Sequence, residues 1–410
     1  MLTKITLEEA QELIIRNCSP LPGQSVPLAE AAGRVCRQEI YTEYDLPPCC
    51  QSAVDGYAVS TDGCAGEKYQ LKESLRPGDY PEFSLEPGQA AGVVTGGPVP
   101  PGTRAVIPWE FTEVKDGYVV TAREVAPGAN LKSPGEDFHG GDIIARRGVP
   151  LGPGLVGVLA AYGISDVNVF ARPKVAILSL GREIVHYQTV PAPGQMRDSN
   201  GPLLAALVQR EGGRVLGVET VGDAEQDLVR GCLEKLLRQA DVVITTGGAA
   251  SGVCDQALNM IKQTGARLLF WDVKIKPGSH SGAAILNSKP IISLSGNPAA
   301  CVVGYHLLAA PLLHALQGLD PHPVRFEAIC ANAWRKKGGP RRFVRGYVFW
   351  KQNQWQVAFL PGQKSSMLRS LIGYNALIDL PAGHPPVEEG QKVSVIPLLA
   401  CNFTRELPFV

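Results

Sequence analysis

The 410-residue chain has no excess charge of either sign: 39 Lys and Arg stand against 39 Asp and Glu. That balance removes the global field that draws basic proteins to nucleic acid or anionic membranes. Its ten cysteines include no C-x-x-C pair, and its seven histidines are dispersed, with no H-E-x-x-H or H-x-x-x-H spacing. The common zinc patterns are therefore missing. The N-terminal "MLTKITLEEAQELIIRN" lacks the unbroken apolar region and the small-residue cleavage site of a secretion signal. No run approaches the roughly 18 apolar residues of a membrane span. These absences lead us to expect a cytoplasmic protein with reduced thiols, many of them buried, and with no nucleic-acid or membrane partner.

What is abundant is glycine, at 45 residues, and proline, at 33, unevenly spread. Residues 1 to about 45 read as mainly helical, opened by Thr6-x-x-Glu9 as a capping box with Leu7, Leu13 and Ile14 on one face. From about 46 to 138, short apolar or alternating runs are separated by Pro-Gly pairs, the pattern of a β-rich module. The segment "GVPLGPGLVGVLAAYGISDVNVFARP" reads as a helix and a strand that return to the first region and make the β module an insertion. From about 174, apolar strands alternate with amphipathic helices, which predicts a parallel sheet covered on both faces. Residues 321–410 read as strands of a small barrel or sandwich. That tail holds twelve Lys and Arg against five Asp and Glu. It is positive by seven, and the rest of the chain is negative by the same amount.

Three glycine loops, "SLGRE", "TTGGAASG" and "SLSGNPAA", follow strands of the α/β region. Ligands of such sheets bind beyond the carboxyl ends of the strands. A loop that opens a helix can offer unpaired N–H groups and a positive dipole end to an oxyanion. Glycine can also serve only to allow a tight turn. None of the three loops contains G-x-x-x-x-G-K-[ST] or a clean G-x-G-x-x-G, which argues against a P-loop nucleotidase or a dinucleotide-binding dehydrogenase. Acidic residues sit in comparable loops: Asp55, Glu136, Asp137, Glu183, Asp223 and Asp255. Loop carboxylates at strand ends suit Mg²⁺, which prefers oxygen ligands, and each alone also suits a turn or helix cap. "KIKPG" places Lys274 and Lys276 on one strand face. "WRKKGGPRRFVRG" gathers Arg335, Lys336, Lys337, Arg341, Arg342 and Arg345, either as a charge-protected barrel edge or as a contact for phosphate or a partner.

Taken in order, "SAVDGYA", "TGGPVPPGTRAVIPWE", "GEDFHGGD", "RPKVAILSLGRE", "QMRDSN", "TTGG", "KPG", "SGNPAA" and "RRFVRG" resemble the molybdopterin molybdenumtransferase (MoeA) family, related to the E domain of gephyrin. The likeness spans nearly the whole chain. It implies four domains: a discontinuous domain I (1–45 and 139–173), an inserted β-rich domain II (46–138), a doubly wound, MogA-like α/β domain III (174–320) and a C-terminal β barrel, domain IV (321–410). It also implies a cytoplasmic homodimer, with a site between domain III of one protomer and domain II of the other. The implied reaction inserts molybdate into adenylylated molybdopterin with Mg²⁺ and releases AMP. By position in these motifs, the resemblance assigns catalytic roles to Asp55, Asp137, Glu183 and Asp223, with Glu183 and Asp223 as the metal ligands. It assigns binding of the molybdopterin substrate to Thr95, Gly247, Gly248, Asp255, Lys276, Pro298, Arg345, Ser365 and Ser366.

The departures cluster in the α/β region. Where the family usually has T-G-D-E, this chain has Leu180-Gly181-Arg182-Glu183. Ala250 and Val253 stand where the glycine loop usually has a serine and an acid, and Ser279 where the family has a second lysine. These changes leave open a paralogue that handles another oxyanion, such as tungstate, or a non-catalytic molybdopterin-binding scaffold.

Overall fold

The computed structural model describes residues 2–61, 65–221, 226–248 and 256–398. The chain divides into two compact units, one of Met1–Gln38, Arg147–Gly152 and Asp166–Val410, the other of Glu39–Arg146 and Pro153–Ser165.

The first unit is built on seven strands: β1 (Leu2–Ile5), β2 (Lys174–Leu180), β3 (Arg214–Val221), β4 (Val242–Gly247), β5 (Arg267–Val273), β6 (Gly282–Leu286) and β7 (Lys289–Leu294). Their order is β1-β5-β6-β7-β4-β2-β3. All neighbours are parallel except β6, which runs antiparallel to both β5 and β7. The sheet is therefore mixed, where continuous apolar strands alone predicted a parallel one. The reason lies in Asn287-Ser288, both at positive φ, which make the two-residue turn of a β6–β7 hairpin.

Side-chain alternation explains the two covered faces. Val175 and Ile177 of β2, Val242 and Ile244 of β4 and Ile292 and Leu294 of β7 enter one core, with α1 (Leu7–Arg16), α2 (Asn200–Arg210) and α5 (Pro298–Leu316). Ala176, Leu178, Val243 and Ile291 enter the other, with α3 (Gln226–Gln239) and α4 (Gln256–Gln263). Each Leu or Ile so buried is worth about 1.5–3 kcal/mol.

The expected capping box forms: Thr6 N–H donates to Glu9 Oε2 at 2.8 Å, and Glu9 N–H donates to Thr6 Oγ1 at 3.2 Å. Beyond it, residues 1–45 are not mainly helical. They hold one α-helix, with strands at Leu2–Ile5 and Gly23–Pro27. Leu2–Ile5 is an edge strand recruited by β5, a long-range pairing that local pattern cannot reveal. Of the helix and strand at 148–173, the strand Asp166–Phe170 pairs with Gly23–Pro27 of the N-terminal region.

Helix α5 overturns a second expectation. It is 19 residues long and apolar enough by composition to cross a membrane, yet 89% of it is buried inside the protein. One π turn at Tyr305–Ala309 interrupts it. Inside that turn the Leu307 carbonyl accepts a hydrogen bond from Gln11 Nε2 at 2.8 Å, which ties α1 to α5.

The C-terminal strands β8 (Phe326–Cys330), β9 (Arg341–Lys351), β10 (Gln354–Phe359), β11 (Ala376–Leu380) and β12 (Lys392–Pro397) close into a barrel, because β9 pairs with both β10 and β11. Two residues of the basic stretch before and within β9 form ion pairs: Arg335 meets Glu388 at 2.7 Å, and Arg341 meets Asp379 and Glu8, both at 2.6 Å. In the second unit, Ala105–Pro108, Gly56–Val59, Gln89–Val93, Lys68–Ser74, Tyr118–Thr121 and Thr112–Lys115 form a six-stranded sheet in that order. Helix Pro153–Ala161 belongs to the same unit.

A polar cluster under α5 makes stability pH-dependent. Burial pushes the His306 imidazole down from 6.5 to about 3, and its Nε2 lies 3.0 Å from Tyr374 Oη. Burial acts to raise the Glu211 carboxyl, but the His314 hydrogen bond at 2.8 Å and the nearby positive charges hold it below the usual range. Both folded-state values are depressed, so both contributions are present at neutral pH and lost as pH falls. We expect the wild type to lose stability on acidification from about pH 6.5, and His306→Gln to lose less over the same range, read as urea midpoints from pH 7.5 to 4. Parallel pH profiles for the two proteins would refute this.

Candidate functional site

A cleft of about 870 Å³ opens at the carboxyl ends of β2, β4 and β7. This is where parallel α/β sheets place their ligands. Its walls come from Ser179, Leu180, Gly181, Glu183 and Ile184 at the end of β2, Met196 to Asn200 at the start of α2, Thr246 to Gly248 at the end of β4, Ser295 to Pro298 at the junction of β7 and α5, and Ser366 and Leu368 from the C-terminal region. Backbone proximity forces glycine at two of these strand ends. Gly247 has φ +88°, and a Cβ there would overlap the Leu180 carbonyl oxygen. A Cβ on Gly181 would meet Ile184 Cγ1 at 2.6 Å and both Glu183 carboxylate oxygens at 3.2 Å, so the Glu183 side chain folds back over this glycine.

Among the described residues the lining is rich in hydroxyl and amide groups and poor in cations, with Arg197 its one basic residue. Asp198, 5% exposed, accepts from Gly201 N–H at 2.9 Å and so caps α2. Asn200 donates through Nδ2 to Thr246 Oγ1 at 2.9 Å and to the Gly296 carbonyl at 2.8 Å. The N-terminus of α5 does not offer the free donors expected of a glycine loop. Pro298 has no N–H, Ala299 N–H donates to the Ser365 carbonyl at 3.0 Å, and Ala300 N–H donates to the Asn297 carbonyl at 2.9 Å. Anion contact at this helix end must come from side chains or from the loop before it.

Of the residues singled out in the sequence, Glu183, Gly247, Gly248, Pro298 and Ser366 line the cleft. Ser365 flanks it through its carbonyl bond to Ala299. Lys276 is exposed on the short strand Ile275–Lys276, which pairs with Arg341–Arg342 of β9, and it is not in the lining. Arg345 is fully buried in β9. Its Nε and Nη2 donate to Ser370 Oγ at 3.1 and 2.9 Å, and no carboxylate pairs with it among the described residues. Burial pushes this guanidinium down from 12.5 to about 10. The loop that wraps it, Gly362 to Ser370, is the one that sends Ser366 and Leu368 to the cleft.

Asp55 and Thr95 meet in the second unit. Thr95 N–H and Oγ1 donate to Asp55 Oδ1 at 2.7 and 2.9 Å, which holds that carboxyl below its usual range. Both line a groove with Asp79 and Tyr80. Asp137 is exposed on the loop after it, its N–H bonded to the Leu46 carbonyl at 3.0 Å. Asp223 and Asp255, and the substituted positions Ala250 and Val253, lie outside the described residues.

Three consecutive family models match the chain: the MoeA N-terminal region (domain I and II) over 5–163, the probable molybdopterin binding domain over 176–315, and the MoeA C-terminal region (domain IV) over 327–398. The chain belongs to the MoeA family. Among its relatives, a molybdopterin molybdenumtransferase of Staphylococcus epidermidis is 29% identical over 412 residues, covering 99% of this chain and 98% of its own. One from Staphylococcus aureus is 28% identical over 402 residues, covering 96% and 95%. The molybdopterin biosynthesis MoeA protein of Pyrococcus horikoshii has a similar structure, with a TM-score of 0.80 and 27% identity over 96% of this chain and 100% of that one.

In this MoeA-family chain, Asp198, Asn200 and Asn297 are cleft residues that the sequence reading did not single out. "QMRDSN" carried a signal, since Asp-Ser-Asn ahead of an apolar helix marks an N-cap. Nothing local says that Asn200 reaches two other strand ends.

Proposed function

We propose that the chain is a molybdopterin molybdenumtransferase of molybdenum cofactor biosynthesis, inserting molybdate into adenylylated molybdopterin and releasing AMP. One observation carries this reading. The polar cleft at the strand ends of the molybdopterin-binding domain shares a loop with Arg345, a buried guanidinium without a carboxylate partner among the described residues. A buried cation of this kind is suited to a tetrahedral oxyanion. In this reading the hydroxyl and amide lining, with Ser366 and Pro298, holds the pterin and phosphate portions of the substrate.

Mg²⁺ fits the donor chemistry. No group of three His, Cys, Asp or Glu able to hold a metal occurs among the described residues, but Mg²⁺ needs only one or two carboxylates with substrate phosphates and water. Glu183, exposed in the cleft wall, would be one ligand and Asp223 the other. The ion would neutralise phosphate charge as AMP leaves. The chain's own residues position the phosphates and exclude water. It acts as a cytoplasmic homodimer in which Asp55, Thr95 and Asp137 also serve the reaction.

The decisive assay incubates purified protein with adenylylated molybdopterin, molybdate and Mg²⁺ and follows AMP together with metal retained in the product. Molybdate-dependent AMP release supports the transferase. Release with tungstate but not molybdate would replace the substrate. Binding without release would leave a scaffold. The charge at position 182 gives a sharper test. Arg182→Asp removes a positive charge beside Glu183, and we expect Mg²⁺ to saturate the reaction at a lower concentration. An unchanged Mg²⁺ titration refutes that role for Arg182.

A further inference from the structure

The short segment that joins the β2 loop to α2 reaches more strand ends than a helix cap requires. Asp198 already satisfies the first turn of α2 by accepting Gly201 N–H, and its Oδ2 lies 3.4 Å from Thr220 Oγ1 at the end of β3. Asn200 contributes no cap. Both hydrogen bonds from its Nδ2 go elsewhere, to Thr246 Oγ1 on β4 and to the Gly296 carbonyl after β7.

The orientation of this carboxamide is fixed by its partners. The Gly296 carbonyl can only accept, so Nδ2 must face it. Thr246 Oγ1 donates to the Ser295 carbonyl at 3.1 Å, which leaves its lone pairs for Asn200. Asn200 is 7% exposed and its Oδ1 is buried without a protein partner. An unpaired buried acceptor is destabilising, and here it accompanies a cross-link between two glycine loops. Those loops already touch: a Cβ on Gly296 would lie 3.1 Å from Gly247 Cα.

We propose that Asn200 is a positioning residue that sets the separation of the Thr246–Gly248 and Ser295–Asn297 loops, and through them the shape of the cleft floor. The proposal rests on reading this cleft as the substrate site. Its amide joins Thr246, the last β4 residue paired to β7, to Gly296, which lies past the end of that ladder at Thr246–Leu294. A misplacement of about 1 Å at such a floor is enough to cost on the order of 10²-fold in rate.

The test compares Asn200→Asp, Asn200→Ala and Thr246→Val with the wild type. The Asp variant keeps volume but turns an acceptor toward the Gly296 carbonyl; the Val variant keeps shape but removes the hydroxyl. Hydrogen exchange on the ligand-free proteins is the first readout. Faster exchange in both loops for all three variants, with barrel strands β9 and β10 unchanged, is the expected result. The second is AMP release, where kcat/KM falls about 10- to 100-fold for Asn200→Asp and the double variant Asn200→Ala/Thr246→Val falls no further than the worse single. Unaltered loop exchange overturns the proposal, and so does altered exchange with wild-type kcat/KM. A wild type that releases no AMP would instead sink the transferase reading, while exchange would still decide whether Asn200 holds the loops.

Discussion

Arg345→Met is expected to remove turnover while leaving the fold as stable as before or more so. Burial lowers this guanidinium to about 10, which still leaves it cationic at neutral pH. It is fully buried, and its polar contacts among the described residues are the Ser370 hydroxyl and the Gly362 carbonyl, not a carboxylate. Keeping an ion in that position costs several kcal/mol of desolvation. Methionine removes that cost at similar length and forfeits the two hydrogen bonds to Ser370 Oγ, worth about 1 kcal/mol each. The stability balance is therefore near zero or favourable. The catalytic balance is not under the proposed oxyanion role, since a donor charge of that kind contributes on the order of 10²–10³-fold. The check is kcat for AMP release together with a denaturant midpoint. A stable, fully active Arg345→Met would remove the oxyanion role. An inactive variant that is also unfolded would show that the guanidinium is structural.

The second large effect separates two adjacent glycines. Gly247 ends β4 in register with Leu180, and its Cβ would overlap the Leu180 carbonyl. Gly248, at φ +66°, has room: the nearest atom to a Cβ would be Ala257 N at 3.4 Å. Gly247→Ala must break the strand end or push β2 and β4 apart, and we expect a loss of about 3 kcal/mol or more. Gly248→Ala meets only the left-handed backbone penalty, about 1–2 kcal/mol. Urea denaturation of the two variants decides the matter. Equal losses would mean that the strand end relaxes, and that the close approach of β4 to β2 does not fix the cleft floor.

Much of this architecture was legible in the residues. The Thr6–Glu9 capping box, the alternation of Val175 and Ile177 against Ala176 and Leu178, and the turn-rich β segment all act through neighbours in sequence. Glycines at positions 247 and 248 marked a strand end that needs positive φ. Less legible were features that depend on distant partners: the edge strand Leu2–Ile5 recruited by β5, the antiparallel β6, and an apolar helix buried as core.

The candidate site divides the same way. The sequence by itself determined the family, the strand-end glycine loops and the carboxylate Glu183, because residue type, order and spacing are local. Only the tertiary structure decided that Arg345 is a buried cation without a carboxylate partner among the described residues, that the donors of α5 are already spent on Ser365 and Asn297, and that Asn200 bridges two loops. Hydrogen-bond satisfaction and desolvation depend on atoms brought together from 46 and 96 residues away, and no spacing along the chain records them.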